Sequence, residues 1–462
     1  MTSGLGVPSP ATRLWAPGSR MLVVGVFGLM TFIAFEIFAV TTALPVVARD
    51  LDAERWYSLA FAAAVTTGLV GMTLGGTWAD RSGPMRPLLF GGAAFLTGLA
   101  LCAAAPAMGV FVVGRLLQGF GGGIDSVVLY VVIARFVHED VRPRMFGLLT
   151  LAWLLPSVVG PLVSGILVQT VHWRTVFALV LAGSAVSLLF LLGVVRRAGP
   201  GHGGGSVLDG RMLWAGVAAT ALLGLHVSGQ QSAAVLTAGT AASVLVLLVT
   251  AVRLLPEGTL RARAGVPRLV LLRALLGGAV SATDIYLPPY LQHELGYPPA
   301  VSGLVIAVGA LGWAAGAWLQ GRSTSGPHRP DLLWRAAAFV LCGPVGAALV
   351  VGGLLPVPAA AVACVLMGVG MGIAAPQVSS TVLTMSPEGL QGNNSSALQI
   401  AESMVTSALI AVTGGVLTVS FLGGYLAVYA LTGAVALAAL AVTLTLRPAG
   451  GAGEGGGFGR NG

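Results

Sequence analysis

Four carboxylic acids stand inside long apolar runs of this chain: Glu36, Asp125, Asp284 and Glu402. Arg115 is the one cation read as equally deep. A charge at the centre of a membrane-crossing helix costs on the order of 2.5–3.5 kcal/mol on insertion scales. Each acid therefore needs a partner, a water-filled cavity or a proton. A carboxyl that loads and unloads a proton at mid-membrane is what a proton-coupled carrier requires. The alternative at each position is a structural acid, hydrogen-bonded within the bundle. Glu36 lies deep in the first run, and Asp284 sits mid-run in Ser281-Ala282-Thr283-Asp284-Ile285-Tyr286. Asp125 follows a glycine run and is also placed to pair with a neighbouring helix. Glu402 is about two turns from the end of its run, within reach of water. Arg115 keeps its charge when buried. It either stabilises a carboxylate or bonds to backbone carbonyls.

Other chemistry is not readable. No His/Cys cluster has metal-ligand spacing, no phosphate loop appears, and no Ser/His/Asp arrangement can be assembled. No catalytic residue, metal or cofactor is expected. Gly121-Gly122-Gly123 lies inside an apolar run, so close helix packing accounts for it better than phosphate binding. Cys102, Cys342 and Cys364 also fall inside apolar runs, which argues against structural disulfides.

The elements that must position these residues are membrane helices. Hydrophobic residues make up 56% of the chain and charged residues 9%. A soluble surface needs about a quarter of its residues charged. The apolar runs have the length that crosses a hydrocarbon core of about 30 Å. Six come first, at 21–46, 56–79, 87–106, 108–135, 145–169 and 172–196. Two plainer runs follow at 212–231 and 233–254, then six more at 269–292, 299–320, 332–354, 357–384, 393–418 and 421–446. The first run is full length and lacks a small-residue cleavage site, so no cleaved signal is expected.

An internal repeat supports fourteen crossings. Gly76-Thr77-Trp78-Ala79-Asp80-Arg81-Ser82-Gly83-Pro84-Met85-Arg86-Pro87 returns in worn form as Gly316-Ala317-Trp318-Leu319-Gln320-Gly321-Arg322, then Ser325-Gly326-Pro327-His328-Arg329-Pro330, 240 residues later. Gly119-Phe120-Gly121-Gly122-Gly123-Ile124 returns as Gly368-Val369-Gly370-Met371-Gly372-Ile373, 249 residues later. Six crossings occupy roughly 190 residues, so the surplus of about 50 fits two inserted helices. The expected organisation is an N-terminal segment 1–20, a six-helix half 21–196, a link 197–211, two extra helices 212–254, a link 255–268, a second six-helix half 269–446 and a Gly-rich tail 447–462.

The basic residues set the orientation. All 24 are arginine, and the net charge is +8. With the N-terminus inside, 20 arginines fall on the inner side, Arg273 counted among them, against Arg49, Arg55 and Arg174 outside. That bias places both termini in the cytoplasm of a cell membrane. It also makes the positive charge a matter of topology rather than of nucleic-acid binding.

At these residues the chain resembles the major facilitator superfamily over nearly its whole length, and within it the fourteen-helix drug:proton antiporters. Gly76–Arg86 is similar to the signature loop between the second and third helices, with Trp78 for the usual Leu and Pro84-Met85 displacing the first basic residues. The resemblance gives Gly76, Asp80, Arg81, Gly83 and Arg86 a gating role. Arg115-Leu116-Leu117-Gln118-Gly119-Phe120-Gly121 resembles the fourth-helix motif, whose arginine is implicated in proton handling. The run Pro156–Gly165 resembles the fifth-helix antiporter motif around Gly160, Pro161 and Gly165, with Pro156 and Ser164 at customary glycine positions. Glu36-Ile37-Phe38-Ala39-Val40-Thr41-Thr42-Ala43-Leu44-Pro45 resembles the first-helix motif, Glu36 replacing a common Asp and Thr41 a common Asn.

The expectation is an all-α polytopic carrier with two six-helix halves and two additional helices between them. It would exchange protons for a small amphipathic or cationic drug, as a monomer in the lipid bilayer. Export of one endogenous metabolite or antibiotic, uptake by symport, and a non-transporting membrane sensor are the rivals. Short loops leave no room for a soluble signalling or catalytic domain, and Gly160-Pro161 argues against symport. The extra helices are expected to lie outside the transport core.

Overall fold

A computed structural model describes residues 14–15, 19–53, 56–196, 210–228, 233–322, 330–419 and 424–445. The outer parts of the terminal segments, most of the 197–211 link and part of the worn loop copy lie outside the described residues. Among the described residues fourteen α-helices follow one another: α1 Arg20–Asp50, α2 Tyr57–Ser82, α3 Met85–Ala104, α4 Met108–Phe136, α5 Arg142–Thr170, α6 Arg174–Val195, α7 Gly210–Ser228, α8 Ala233–Leu254, α9 Val266–His293, α10 Pro299–Arg322, α11 Pro330–Val351, α12 Val357–Met385, α13 Gln391–Val419 and α14 Gly424–Leu444. No strand occurs among the described residues. An all-helical solution follows from the composition, because a backbone in lipid must satisfy its own hydrogen bonds. Twelve of the helices are long and apolar enough to cross a membrane. The apolar parts of α7 and α8, Gly210–Leu225 and Ala238–Leu254, are shorter as described.

Each set of six helices packs in the same way. The helix α4 lies against α2 and α3, and α12 lies against α10 and α11. Likewise α1 meets α5 and α6 while α9 meets α13 and α14; α3 meets α6 while α11 meets α14. Glycine decides the tightest of these contacts. A Cβ on Gly123 would overlap the carbonyl oxygen of Gly68 in α2, and one on Gly121 the carbonyl of Gly91 in α3. In the second set, a Cβ on Gly372 would overlap the carbonyl of Trp313 in α10, and one on Gly370 that of Ala336 in α11. The repeated glycines thus make equivalent crossings, where backbones approach without side chains between them.

The two sets touch at the end of the bundle that carries the arginine-rich loops. There α2 meets α13, and α5 meets α10 and α12. Arg144 Nε donates to the Gly321 carbonyl at 2.6 Å, on the last turn of α10, where a cation complements the helix dipole. Deeper in, Gln399 Nε2 donates to the Ser126 carbonyl at 3.3 Å. The α7–α8 hairpin does not stand apart. One apolar cluster joins Leu69 of α2, Ala215, Ala218 and Leu222 of α7, Leu247 and Ala251 of α8, and Ile400 and Met404 of α13. The hairpin packs on both α2 and α13, at the seam between the two sets.

Candidate functional site

The first helix brings Glu36 to the fourth. Arg115 Nη1 forms an ion pair with Glu36 Oε1, and both side chains are buried. Arg115 also donates through Nε to the Ala60 carbonyl at 3.2 Å and through Nη1 to Gln118 Oε1 at 3.0 Å. The guanidinium thus answers both sequence alternatives, holding a carboxylate and a backbone carbonyl at once. Cys102 Sγ lies 3.6 Å from the same Gln118 oxygen, so four helices contribute to one buried polar network. Arg suits this place because its fork satisfies several acceptors while staying charged.

A second pair lies in α9 and α13. Arg273 approaches Glu402 Oε2 through Nε and Nη2, each at 3.0 Å. Gly277, one turn along α9, makes room: a Cβ there would stand 2.5 Å from Glu402 Oε1. Arg273 is therefore inside the span Val266–His293, not on the basic link where its neighbour Arg268 led the sequence count to put it. Arg115 is not the one deep cation. Tyr130 of α4 is close enough to feel both charges and shares a hydrogen bond with Ser379 of α12. The second pair thus lies beside a contact between the two helix sets.

Asp284 differs from both. It is half-buried on α9, and among the described residues it has no hydrogen-bond or ion-pair partner. Cys364 of α12 and Tyr429 of α14 lie near enough to feel its charge. Asp125 is fully buried, with neither oxygen hydrogen-bonded among the described residues. Its Oδ1 would lie 2.5 Å from a Cβ on Gly91, so it presses on α3 within its own helix set. The four acids do not form one site: two are paired, one is enclosed, and one stands unpaired and partly accessible.

The first copy of the repeated loop ties the two helix sets together at the arginine-rich end. Asp80 Oδ1 accepts from Gly392 N at 2.6 Å, and Oδ2 from Asn393 N at 2.8 Å. These are first-turn N–H groups of α13, where a carboxylate satisfies orphan donors and meets the positive end of the dipole. Gly76 lets the helices close: a Cβ there would overlap the Gly392 carbonyl. Gly83 ends α2 at φ 80°, a conformation that disfavours a side chain. Arg81 is half-buried, and Arg86 is exposed at the start of α3. The partner segment Gly392-Asn393 was not singled out in the sequence; its signal is the polar run Gln391-Gly392-Asn393-Asn394-Ser395-Ser396 opening an apolar helix.

Gly160 and Ser164 of α5 face α1. A Cβ on Gly160 would meet Phe38 Cβ at 3.3 Å, and Ser164 Oγ donates to the Ala39 carbonyl at 2.9 Å. Pro156 and Pro161 both lie inside α5. Gly165 is looser, 3.9 Å from Thr42 Cγ2 on the same measure. Among the described residues no group of three His, Cys, Asp or Glu side chains assembles as a metal site.

The family model of the Major Facilitator Superfamily matches residues 26–411. The chain belongs to that superfamily, whose members are transporters. It is similar to a protein of Mycobacterium tuberculosis named a probable multidrug-efflux transporter, at 24% identity, covering 87% of this chain and 88% of the relative. It is 30% identical to multidrug resistance protein 3 of Bacillus subtilis, over 38% of this chain and 34% of that protein. A transporter of the acurin A biosynthesis cluster of Aspergillus aculeatus is 32% identical over 41% of this chain and 34% of its own. The matched part of this chain thus spans about a third of the last two relatives. Among solved structures, the human organic anion transporter MFSD10 is similar with a TM-score of 0.64 at 17% identity, covering 93% of this chain and 100% of that one. A bacterial homologue of ferroportin in its outward-facing state also scores 0.64, at 13% identity, covering 93% of this chain and 98% of that one. These two likenesses concern the fold.

Proposed function

We propose that this transporter exports small amphipathic or cationic molecules in exchange for protons, by alternating access between residues 21–196 and 269–446. The observation that carries the reading is the contrast among its intramembrane acids. Glu36 is locked to Arg115, whereas Asp284 is half-buried without a partner among the described residues. An unpaired acid in an apolar bundle suits an amphipathic cation, whose affinity comes from surface burial and one charge. The paired acid suits coupling, since protonating Glu36 removes the charge that holds Arg115. The names of the Mycobacterium and Bacillus relatives support efflux. The α7–α8 hairpin completes fourteen crossings in this reading, with both termini cytoplasmic in the cell membrane and the carrier working as a monomer.

The test is proton flux in proteoliposomes with an imposed pH gradient and a panel of lipophilic cations and antibiotics. Wild type should dissipate the gradient when a substrate is added. Glu36→Gln should abolish that response with expression intact, and Asp284→Asn should weaken cation response by about tenfold or more. Full coupled transport in Glu36→Gln would remove that residue from the mechanism. A narrower reading, export of one endogenous product, draws support from the biosynthesis-cluster relative. A response to a single compound across the panel would favour it.

A further inference from the structure

The arginine-rich end is held by more than its signature loop. Arg211, the second residue of α7, donates through Nη1 to Asn393 Oδ1 at 2.5 Å and through Nη2 to the Leu254 carbonyl at 2.6 Å. Leu254 is the last residue of α8, so one guanidinium ties both feet of the hairpin together and extends them to the first turn of α13. Asn393 Oδ1 accepts a second bond, from Thr77 Oγ1 of α2 at 3.1 Å, while Asn393 N donates to Asp80. Arg211 is also near enough to Asp80 for their charges to interact. Beneath this node, the shared apolar cluster seats the hairpin on both α2 and α13.

These contacts have a mechanical consequence. Opening the arginine-rich end must separate α13 from α2 and break the bonds at Asp80. The hairpin touches both helices, so it must let go of one. Its grip on Asn393 is a charge-assisted bond available only while the α13 N-terminus stays at Thr77 and Asp80. We propose that Arg211 is a positioning residue: through it the inserted hairpin struts the closed arginine-rich end and sets the ratio of closed to open conformations. The inference rests on alternating access but on no particular substrate or coupling ion.

The experiment measures distances between spin labels at Asp140→Cys and Leu390→Cys, both exposed, in full-length protein lacking its native cysteines and reconstituted in nanodiscs. Wild type should show mainly a short distance. Arg211→Gln should raise the ratio of long to short by about fivefold or more, the effect of losing one charged hydrogen bond, and Arg211→Lys should recover part of it. Leu213→Ala, exposed on the same helix, should leave the ratio alone. Asn393→Ala should raise it as well, and adding Arg211→Gln to that variant should add little. A ratio unchanged in Arg211→Gln, or additive effects in the double variant, would overturn the proposal. Aggregation of Arg211→Gln with no long distance in its folded fraction would also overturn it. A wild type that never reaches the long distance, under any pH or substrate, would instead sink alternating access and this inference with it.

Discussion

Arg115 and Glu36 show how a buried charge binds stability to mechanism. Taking one partner away leaves the other desolvated and uncompensated, which costs about 3–5 kcal/mol. Arg115→Leu is therefore expected to lower thermal stability in detergent sharply. The double variant Arg115→Leu/Glu36→Leu should regain most of it while remaining dead in the pH-gradient assay. Equal instability of single and double variants would mean that packing, not pairing, holds the site. The candidate residues themselves were legible, since an acid inside an apolar run announces its cost. Their pairing was not, because it depends on which faces of α1 and α4 meet. Arg273 was missed for a related reason. It follows the loop arginines closely in sequence, yet enters α9 on the face that reaches Glu402.

At the scale of elements, glycine phase decides what the helices can do. Gly123 sits where a Cβ would overlap the Gly68 carbonyl, whereas a Cβ on Gly122 would meet Phe95 ring carbons at an ordinary 3.5 Å. Gly123→Ala is thus expected to cut folded yield several-fold, while Gly122→Ala should be neutral or stabilise by up to about 1 kcal/mol through helix propensity. Thermal unfolding of the two variants separates the cases. The Gly-rich repeat was visible in the sequence, but not that alternate glycines serve different neighbours. The opposite end of the bundle is tied by Asp50, beyond the apolar part of α1. Trp173 Nε1 donates to Asp50 Oδ2 at 2.8 Å and Arg174 Nη1 lies 3.4 Å away. The indole bond, with help from Arg174, holds the Asp50 carboxyl below its usual range. A lowered value means stability that is present above the ordinary carboxyl pKa and lost as pH falls through the lowered one. Asp50→Asn should therefore melt below wild type at neutral pH, with the gap closing below about pH 4.

For the molecule as a whole, the question is which end can close. The resemblance made the loop around Asp80 a gate, and the repeat implied a counterpart half, but neither told what Asp80 would grip. That partner is backbone, the first-turn N–H groups of Gly392 and Asn393, which the sequence marks only indirectly, through the polar run that opens α13. The crossing is tight in both directions: a Cβ on Gly76 would overlap the Gly392 carbonyl, and a Cβ on Gly392 the Gly76 carbonyl. A larger side chain here should therefore obstruct closure at this end while leaving each helix set intact. Gly392→Leu is expected to fold, to bind substrate, and to lose transport by about tenfold or more, the factor that 1.4 kcal/mol against the closed state represents. Its label distance between positions 140 and 390 should move to the long value even without substrate. Asp80→Asn should shift it less, because an amide oxygen still accepts one of the two backbone bonds. If Gly392→Leu kept the short distance and normal transport, the contact between Gly76 and Gly392 could not be the one on which closure depends, and the gate would have to be sought at Arg144 and Gly321.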